Sequence, residues 1–349
     1  MLPPLDMNAG IERGCSLMVW IRRRLTAPAF LQVGLCLLVL AGGTGASKCT
    51  SLNGVQSWAY QIQGLDSQGA ADALVNSPYD MLVIEPTRSA KGSEDFDTAG
   101  LVVRLHERGK LVLAYLDIGE AEDYRLYWKD DWRPPGQLAA GEPDFLVTVD
   151  PGGWSGNYPV AYWDPRWKDV VIYGEHSLLN MALEDGFDGV YLDWIEAFND
   201  PSVAAAAAAQ GLDPAVEMVR FVREVGQYAR ERRPGFVVVA QNGADLADEV
   251  PQYLEVIDGL AQEDLSYGGA ADTEWGDPES GDIPTPEEDR LYLMDLLEIY
   301  RQAGIPLFCV DYALQPKHVE ESYRRHREAG CLGYVSQTPL SRLTETPPQ

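Results

Sequence analysis

Continuous apolar runs, rather than alternating ones, punctuate the chain. Trp58–Ile62, Met81–Ile84, Leu111–Leu116, Gly189–Leu192, Phe236–Ala240, Ile257–Ala261, Pro306–Val310 and Leu332–Val335 each read as a strand. Uninterrupted apolar character suits strands buried on both faces, as in a parallel sheet. Between them lie helical stretches with stop signals. Thr98–Arg108 runs into Gly109, and Pro214–Arg232 carries apolar residues at 215, 218, 219, 222 and 225 before Pro234-Gly235. Glu287–Ala303 and Lys317–Ala329 each run into a glycine. Helix, glycine, strand is the junction of a repeating βα unit. Eight strands predict an α/β fold, the (β/α)8 barrel of about 250 residues. A doubly wound sheet is the structural rival, but it would carry a Gly-rich phosphate turn after its first strand. Gln63-Gly64-Leu65-Asp66 is no such turn.

Three loops are long. Residues 120–165, after the third strand, are rich in Trp, Tyr, Pro and Gly, and residues 264–286, after the sixth, are acidic and carry Trp275. A third follows the fourth strand and holds Ala204–Ala209, read as a helical spacer. All three would stand on the face where barrel enzymes keep their active sites.

Upstream, Arg22, Arg23 and Arg24 precede a 12-residue apolar run, Phe30–Ala41, and then Thr44-Gly45-Ala46. That order reads as a signal peptide over residues 1–46, with Met18 as an alternative start. An uncleaved anchor is the rival, and the only route to a membrane. Pro28, Gln32 and several glycines oppose it, because a span needs about 20 mostly apolar residues. Lys48 argues against lipid attachment at Cys49. The expected organisation is a cleaved leader (1–46), a linker (47–56), one barrel domain (57–340) and a tail (341–349), secreted from the cell. Cys309 and Cys331 fall on neighbouring strands, and buried free thiols are the favoured reading over a bridge.

The 349 residues include 27 basic and 54 acidic ones, a net charge of -27. Without the leader the balance is 23 to 52, or -29. A hydrophobic content of 46% excludes a disordered acidic chain. So acidic a chain argues against a nucleic-acid binder, because phosphate binding needs clustered Lys and Arg. The charge fits either a cationic partner or plain solubility.

In a barrel, polar residues just past each apolar run face the mouth. Strand two runs into Glu85, three into Asp117 with Glu120 beyond, and four into Asp193-Trp194 with Glu196 beyond. Five runs into Gln241-Asn242, six into Gln262-Glu263-Asp264, seven into Asp311-Tyr312 and eight into Ser336-Gln337. Any one acid alone reads as a helix cap or structural ion pair. Converging acids repel, so some must hold protons or meet a cation. Such a cluster suits acid/base work on a neutral or cationic substrate. Tyr60, Trp154, Tyr158, Tyr267 and Trp275, at strand ends or in the long loops, suit stacking on sugar faces. For Trp58 and Trp194 core packing is an equal reading. The four histidines (106, 176, 318 and 326) are scattered, and there is no zinc spacing, GxSxG elbow or phosphate loop. No cofactor or metal is called for, although an oxygen-ligand calcium or magnesium site stays open.

Several stretches carry a family resemblance: Trp58–Gln63 (WAYQIQ), Tyr115–Trp128 (YLDIGEAEDYRLYW), Gly186–Phe198 (GFDGVYLDWIEAF), Gln241-Asn242-Gly243, Gln262–Leu265 (QEDL) and Val310-Asp311-Tyr312. Together they resemble the extracellular TIM-barrel proteins of glycoside hydrolase family 114, the endo-α-1,4-polygalactosaminidases. Related proteins often carry a cysteinyl-tRNA synthetase label, which finds no HIGH- or KMSKS-type motif in this chain. The resemblance implies retaining hydrolysis by two carboxylates, with Asp193 as nucleophile and Glu263 as acid/base. Retention brings such a pair about 5–5.5 Å apart. Glu263 must start protonated, which burial beside Asp264 and Asp193 would favour. Tyr60, Glu85, Asp117, Glu120, Trp194, Gln241, Asn242, Asp264, Asp311 and Tyr312 would bind substrate. Glu120 has a second reading, as the ion-pair partner of Arg125. Glu85 stands where the family leads one to expect Asp, which puts one subsite in question. The implied substrate is a galactosamine-containing polysaccharide, cationic and cut internally. The alternative is a non-catalytic protein that binds such a polymer on the same barrel.

Overall fold

All eight apolar runs form strands, which pair in chain order with every neighbour parallel. They are β1 (Trp58–Gln61), β2 (Met81–Ile84), β3 (Leu111–Asp117), β4 (Gly189–Asp193), β5 (Val237–Gln241), β6 (Gly259–Glu263), β7 (Leu307–Tyr312) and β8 (Leu332–Ser336). β8 returns beside β1, where Trp58 Nε1 donates to Leu332 O at 2.8 Å, so the sheet nearly closes into the predicted (β/α)8 barrel. The computed structural model describes residues 52–136, 139–269 and 271–344; the leader and Cys49 lie outside them.

Helices connect the strands, and aspartates start several of them. Asp97 accepts from Gly100 N ahead of Thr98–His106, and Asp213 accepts from Ala215 N and Val216 N ahead of Pro214–Arg232. Such caps satisfy amides that have no partner inside the helix. The alanine tract is helical as read, within Pro201–Ala209. No helix among the described residues is long and apolar enough to cross a membrane.

The sixth strand sits two residues later than the apolar run suggested. Asp258 accepts from Val238 N at 2.8 Å and pairs with Arg230, and the ladder begins just beyond it, at Gly259. Glu263 is therefore the last residue of β6.

Alternation along each strand decides which side chains enter the barrel. Trp58 packs against Tyr191, Phe308 and Tyr334 at centroid distances of 6.2, 5.5 and 5.9 Å, which makes it a core residue. Tyr60 lies 5.1 Å from Tyr191. The next inward positions toward the C-terminal ends are polar: Asp117, Asp193, Gln241, Glu263, Tyr312 and Ser336.

Three expectations change. Cys309 and Cys331 are joined in a disulfide rather than free, with Cys331 just ahead of β8 and the two Cα atoms 5.6 Å apart. The linker contributes to the core, as Leu52 and Val55 are buried and Leu52 packs at Gly259. The start of the tail belongs to the barrel too: Gln61 Nε2 donates to Ser341 O at 3.1 Å, and Thr344 N to Tyr334 Oη at 3.1 Å.

Candidate active site

Asp193 closes β4 and Glu263 closes β6, with β5 between them. Two strand spacings separate their backbones by about 9–10 Å, and inward side chains shorten that gap. Each carboxylate has its own tyrosine. Tyr115 Oη donates to Asp193 Oδ2 at 2.5 Å, and Trp194 N donates to Asp193 Oδ1 at 2.7 Å. Tyr312 Oη donates to Glu263 Oε1, and Asn242 Nδ2 donates to Glu263 Oε2 at 2.9 Å. Burial holds the phenols of Tyr60, Tyr115, Tyr191 and Tyr312 well above their ordinary range, so they stay neutral donors.

Burial, and then the charge of Glu263, pushes the Asp193 carboxyl up to about 7 against the pull of Tyr115 and the Trp194 amide. A third acid stands beside them. Glu196, in the turn Ile195–Asn199, accepts from Asn242 Nδ2 at 3.4 Å through Oε1, while Oε2 has no partner among the described residues. Burial, then Asp193, pushes Glu196 up to about 8. Asp117, in register with Asp193, is raised by burial and then by that neighbour, and Asp264 by burial and then Glu263. Asp193, Glu196, Glu263 and Asp264 keep partial solvent access, which tempers these shifts.

The backbone bends sharply at this rim. Trp194, Asn242 and Asp264 each follow the last residue of β4, β5 or β6, with φ of 58°, 57° and 54°. Left-handed backbone costs a residue with a Cβ roughly 1–2 kcal/mol, and such strain collects at functional sites. The turn at Asn242 aims its amide at β6, where Oδ1 accepts from Glu263 N at 3.0 Å and Gln262 Nε2 at 3.1 Å. Gly119 gives the Trp194 turn room, since a Cβ there would lie 2.3 Å from Trp194 O.

The predicted site residues separate into those at the mouth and those elsewhere. Asp193, Glu263, Asp117, Trp194, Gln241, Asp264 and Tyr312 stand at the mouth, and Tyr60 beneath it donates to Gln241 Oε1 at 3.3 Å. Asn242 is there too, but its amide is taken up by Glu263, Gln262 and Glu196. Glu85 is bound by Arg125, which also pairs with Glu122 at 2.5 Å. Glu120 is fully buried, accepts from Asn157 Nδ2 at 3.2 Å and does not pair with Arg125.

Asp311 is not brought to the mouth. Its neighbour Tyr312 points inward, so Asp311 faces out toward the helix Pro316–Ala329. There it meets His326 at 3.1 Å and accepts from Ser266 N at 3.0 Å. Burial would raise its carboxyl, but His326 outweighs that and holds it low. Gly333 admits the ring, because a Cβ there would lie 2.5 Å from His326 Nδ1. Of the loop aromatics, Trp154 is half exposed on a turn tied by Asp150 accepting from Trp154 N at 2.6 Å. Trp275 packs partly on the core under Arg342. Tyr115 and Tyr191 were missed by sequence reasoning, although each lies two residues before a mouth aspartate, which alternation turns to the same side.

The arrangement sets two carboxyls in one mouth with a neutral phenol donor at each, groups of the kind that a nucleophile and an acid require. Among the described residues no group of three or more His, Cys, Asp or Glu is placed to hold a metal ion.

Comparison with known proteins agrees with the barrel fold. The model of glycoside-hydrolase family GH114 matches residues 43–347. An uncharacterised protein of Deinococcus radiodurans is 32% identical over 305 residues, 86% of this chain and 86% of its own. The uncharacterised protein MJ1477 of Methanocaldococcus jannaschii is 31% identical over 302 residues, 80% of this chain and 75% of its own. Among solved structures, the glycoside hydrolase domain of PelA from Pseudomonas aeruginosa gives a TM-score of 0.57 at 20% identity, covering 83% of this chain and 98% of that one. Aspergillus fumigatus Ega3, solved with galactosamine, gives 0.56 at 14% identity, covering 83% and 94%. At these identities the two structures speak for the shared fold.

Proposed function

The chain belongs to glycoside hydrolase family 114 and is a glycoside hydrolase, and we propose that it cuts α-1,4-linked galactosamine-containing polysaccharide internally, with retention of configuration. The observation that carries the reading is the pairing of Asp193 and Glu263 at one mouth, each held by its own tyrosine. Both oxygens of Asp193 accept hydrogen bonds, one of them from a backbone amide that can only donate, which suits an ionised nucleophile. The Tyr312 hydroxyl beside Glu263 can turn and accept instead, which suits a protonated acid.

In the first step Asp193 attacks the anomeric carbon while Glu263 gives its proton to the leaving oxygen. In the second step Glu263 takes a proton from water, which attacks the same carbon and releases Asp193. Tyr60, Asp117, Trp194, Gln241, Asp264 and Tyr312 line the sugar site. The galactosamine held by Ega3 supports an amino-sugar substrate, and the acidity of the mouth suits its cationic form. No cofactor is required. The leader-like N-terminus and the Cys309–Cys331 disulfide support secretion, since disulfides persist in oxidising compartments.

The test is chain shortening of partly deacetylated α-1,4-galactosamine polymer. Wild type should shorten it, and Asp193→Asn and Glu263→Gln should each lose at least about 10³-fold in rate while keeping the native melting temperature. Normal turnover by either variant would defeat the assignment.

A further inference from the structure

We infer that Glu196 is the specificity residue of this mouth, and that its free carboxyl oxygen receives the ammonium group of the sugar unit held beside Asp193 and Glu263. The inference rests on the glycosidase reading for its setting, but not on catalysis for its test.

Three observations lead there. Glu196 lies three residues beyond Asp193, in the turn that the left-handed Trp194 begins. Its Oε1 shares the Asn242 amide with Glu263, while its Oε2 is buried without a hydrogen-bond partner among the described residues. Tyr191 is wholly buried, and its hydroxyl also lacks a partner; the charges that act on it are those of Glu263, Asp193 and Glu196, in that order. A buried acceptor oxygen and a buried donor hydroxyl, each without a partner among the described residues, therefore lie within electrostatic reach of one another beside Asp193 and Glu263.

Electrostatics then selects the occupant. Asp193, Glu196 and Asp264 form no ion pair with a Lys, Arg or His among the described residues. A buried carboxyl beside two catalytic acids is costly unless a cation meets it. A metal ion is disfavoured, because these acids are not arranged as a ligand set. An ammonium carries three donors and needs only one acceptor per N–H at about 2.7–2.9 Å. The carboxyl released from its proton then pairs with the incoming cation. A unit with a neutral hydroxyl or acetamide at the same carbon forms no ion pair with Glu196, which then keeps its proton. Burial, then Asp193, pushes the Glu196 carboxyl up to about 8, so a cation placed against it favours release of its proton.

The experiment is calorimetric titration of the folded protein with galactosamine and with galactose, which differ by an amine against a hydroxyl. Wild type should bind galactosamine at least about ten-fold more tightly, and Glu196→Gln should bring the two within about two-fold. Glu196→Asp, which keeps the charge and shortens the reach, should fall between them. Retention of the full preference in Glu196→Gln, or equal binding of both sugars by wild type, overturns the assignment. Should the preference behave as stated while wild type cleaves no polymer, amine recognition stands and the hydrolase reading of this mouth falls.

Discussion

Asn242 holds Glu263 twice: its Nδ2 donates to Oε2 at 2.9 Å, and its Oδ1 accepts from the Glu263 backbone N at 3.0 Å. It does so from left-handed backbone at φ 57°, a conformation that Asn tolerates better than most residues. β5 thereby fixes both the backbone and the carboxylate of the proposed acid on β6.

Asn242→Gly keeps the backbone conformation and removes only the amide. The fold should survive with an unchanged or slightly lower melting temperature. A misplaced acid costs about 10²-fold in kcat, so kcat should fall by that order while KM changes little. Steady-state kinetics on the polymer, alongside thermal unfolding, checks this.

Tyr115→Phe removes a donor that favours the charged form of Asp193. Without it the Asp193 carboxyl must move further up, and the acid limb of the kcat/KM profile, which rises as the nucleophile ionises, must shift to higher pH. The loss of one charge-assisted bond should also lower kcat/KM about ten-fold at neutral pH. A pH–rate profile of both proteins reads the two effects together; a limb that moves to lower pH would contradict the geometry.

Asp311→Asn should act on stability rather than on chemistry. The residue pairs with His326 behind the barrel, and breaking a buried pair by removing one partner costs about 3–5 kcal/mol. The Asp311 carboxyl is held below its ordinary value, so its contribution is present above the unfolded range of about 3.9 and is lost as the pH falls further. Denaturant unfolding should therefore show a deficit at pH 7 that narrows in acid. Tyr312→Phe, one residue along the strand, should instead cost activity, since that hydroxyl meets Glu263.

The contrast between Asp311 and Tyr312 shows what the sequence could convey. Both stand at the end of one apolar run, and composition gave no reason to separate them. Strand alternation separates them at once, provided the phase is known, and that phase comes from the Tyr312–Glu263 contact. The eight strands themselves were legible because each is a continuous apolar run, and the start of the sixth was displaced furthest, by Asp258 tying down the preceding turn. Asp193 and Glu263 were legible as strand-end acids within a family resemblance. Their supports were less so. Tyr115 and Tyr191 read as ordinary core aromatics inside apolar strands, and the role of Asn242 depends on a left-handed turn that no local pattern announces. Likewise the sequence offered Glu120 as a partner of Arg125, whereas in the short ladder of Glu120–Glu122 with Asn157–Pro159 Glu120 meets Asn157 and Glu122 takes the arginine.

The account stands or falls on Asp193 as a covalent nucleophile. Glu263→Gln lacks the base for the second step, so a dinitrophenyl α-galactosaminide, whose leaving group needs no acid, should trap the glycosyl-enzyme. Peptide mass spectrometry should then find a single galactosaminyl adduct on the peptide that contains Asp193, absent when Asp193→Asn is combined with Glu263→Gln. An adduct on any other residue, or release of the dinitrophenol with no adduct at all, would contradict the account.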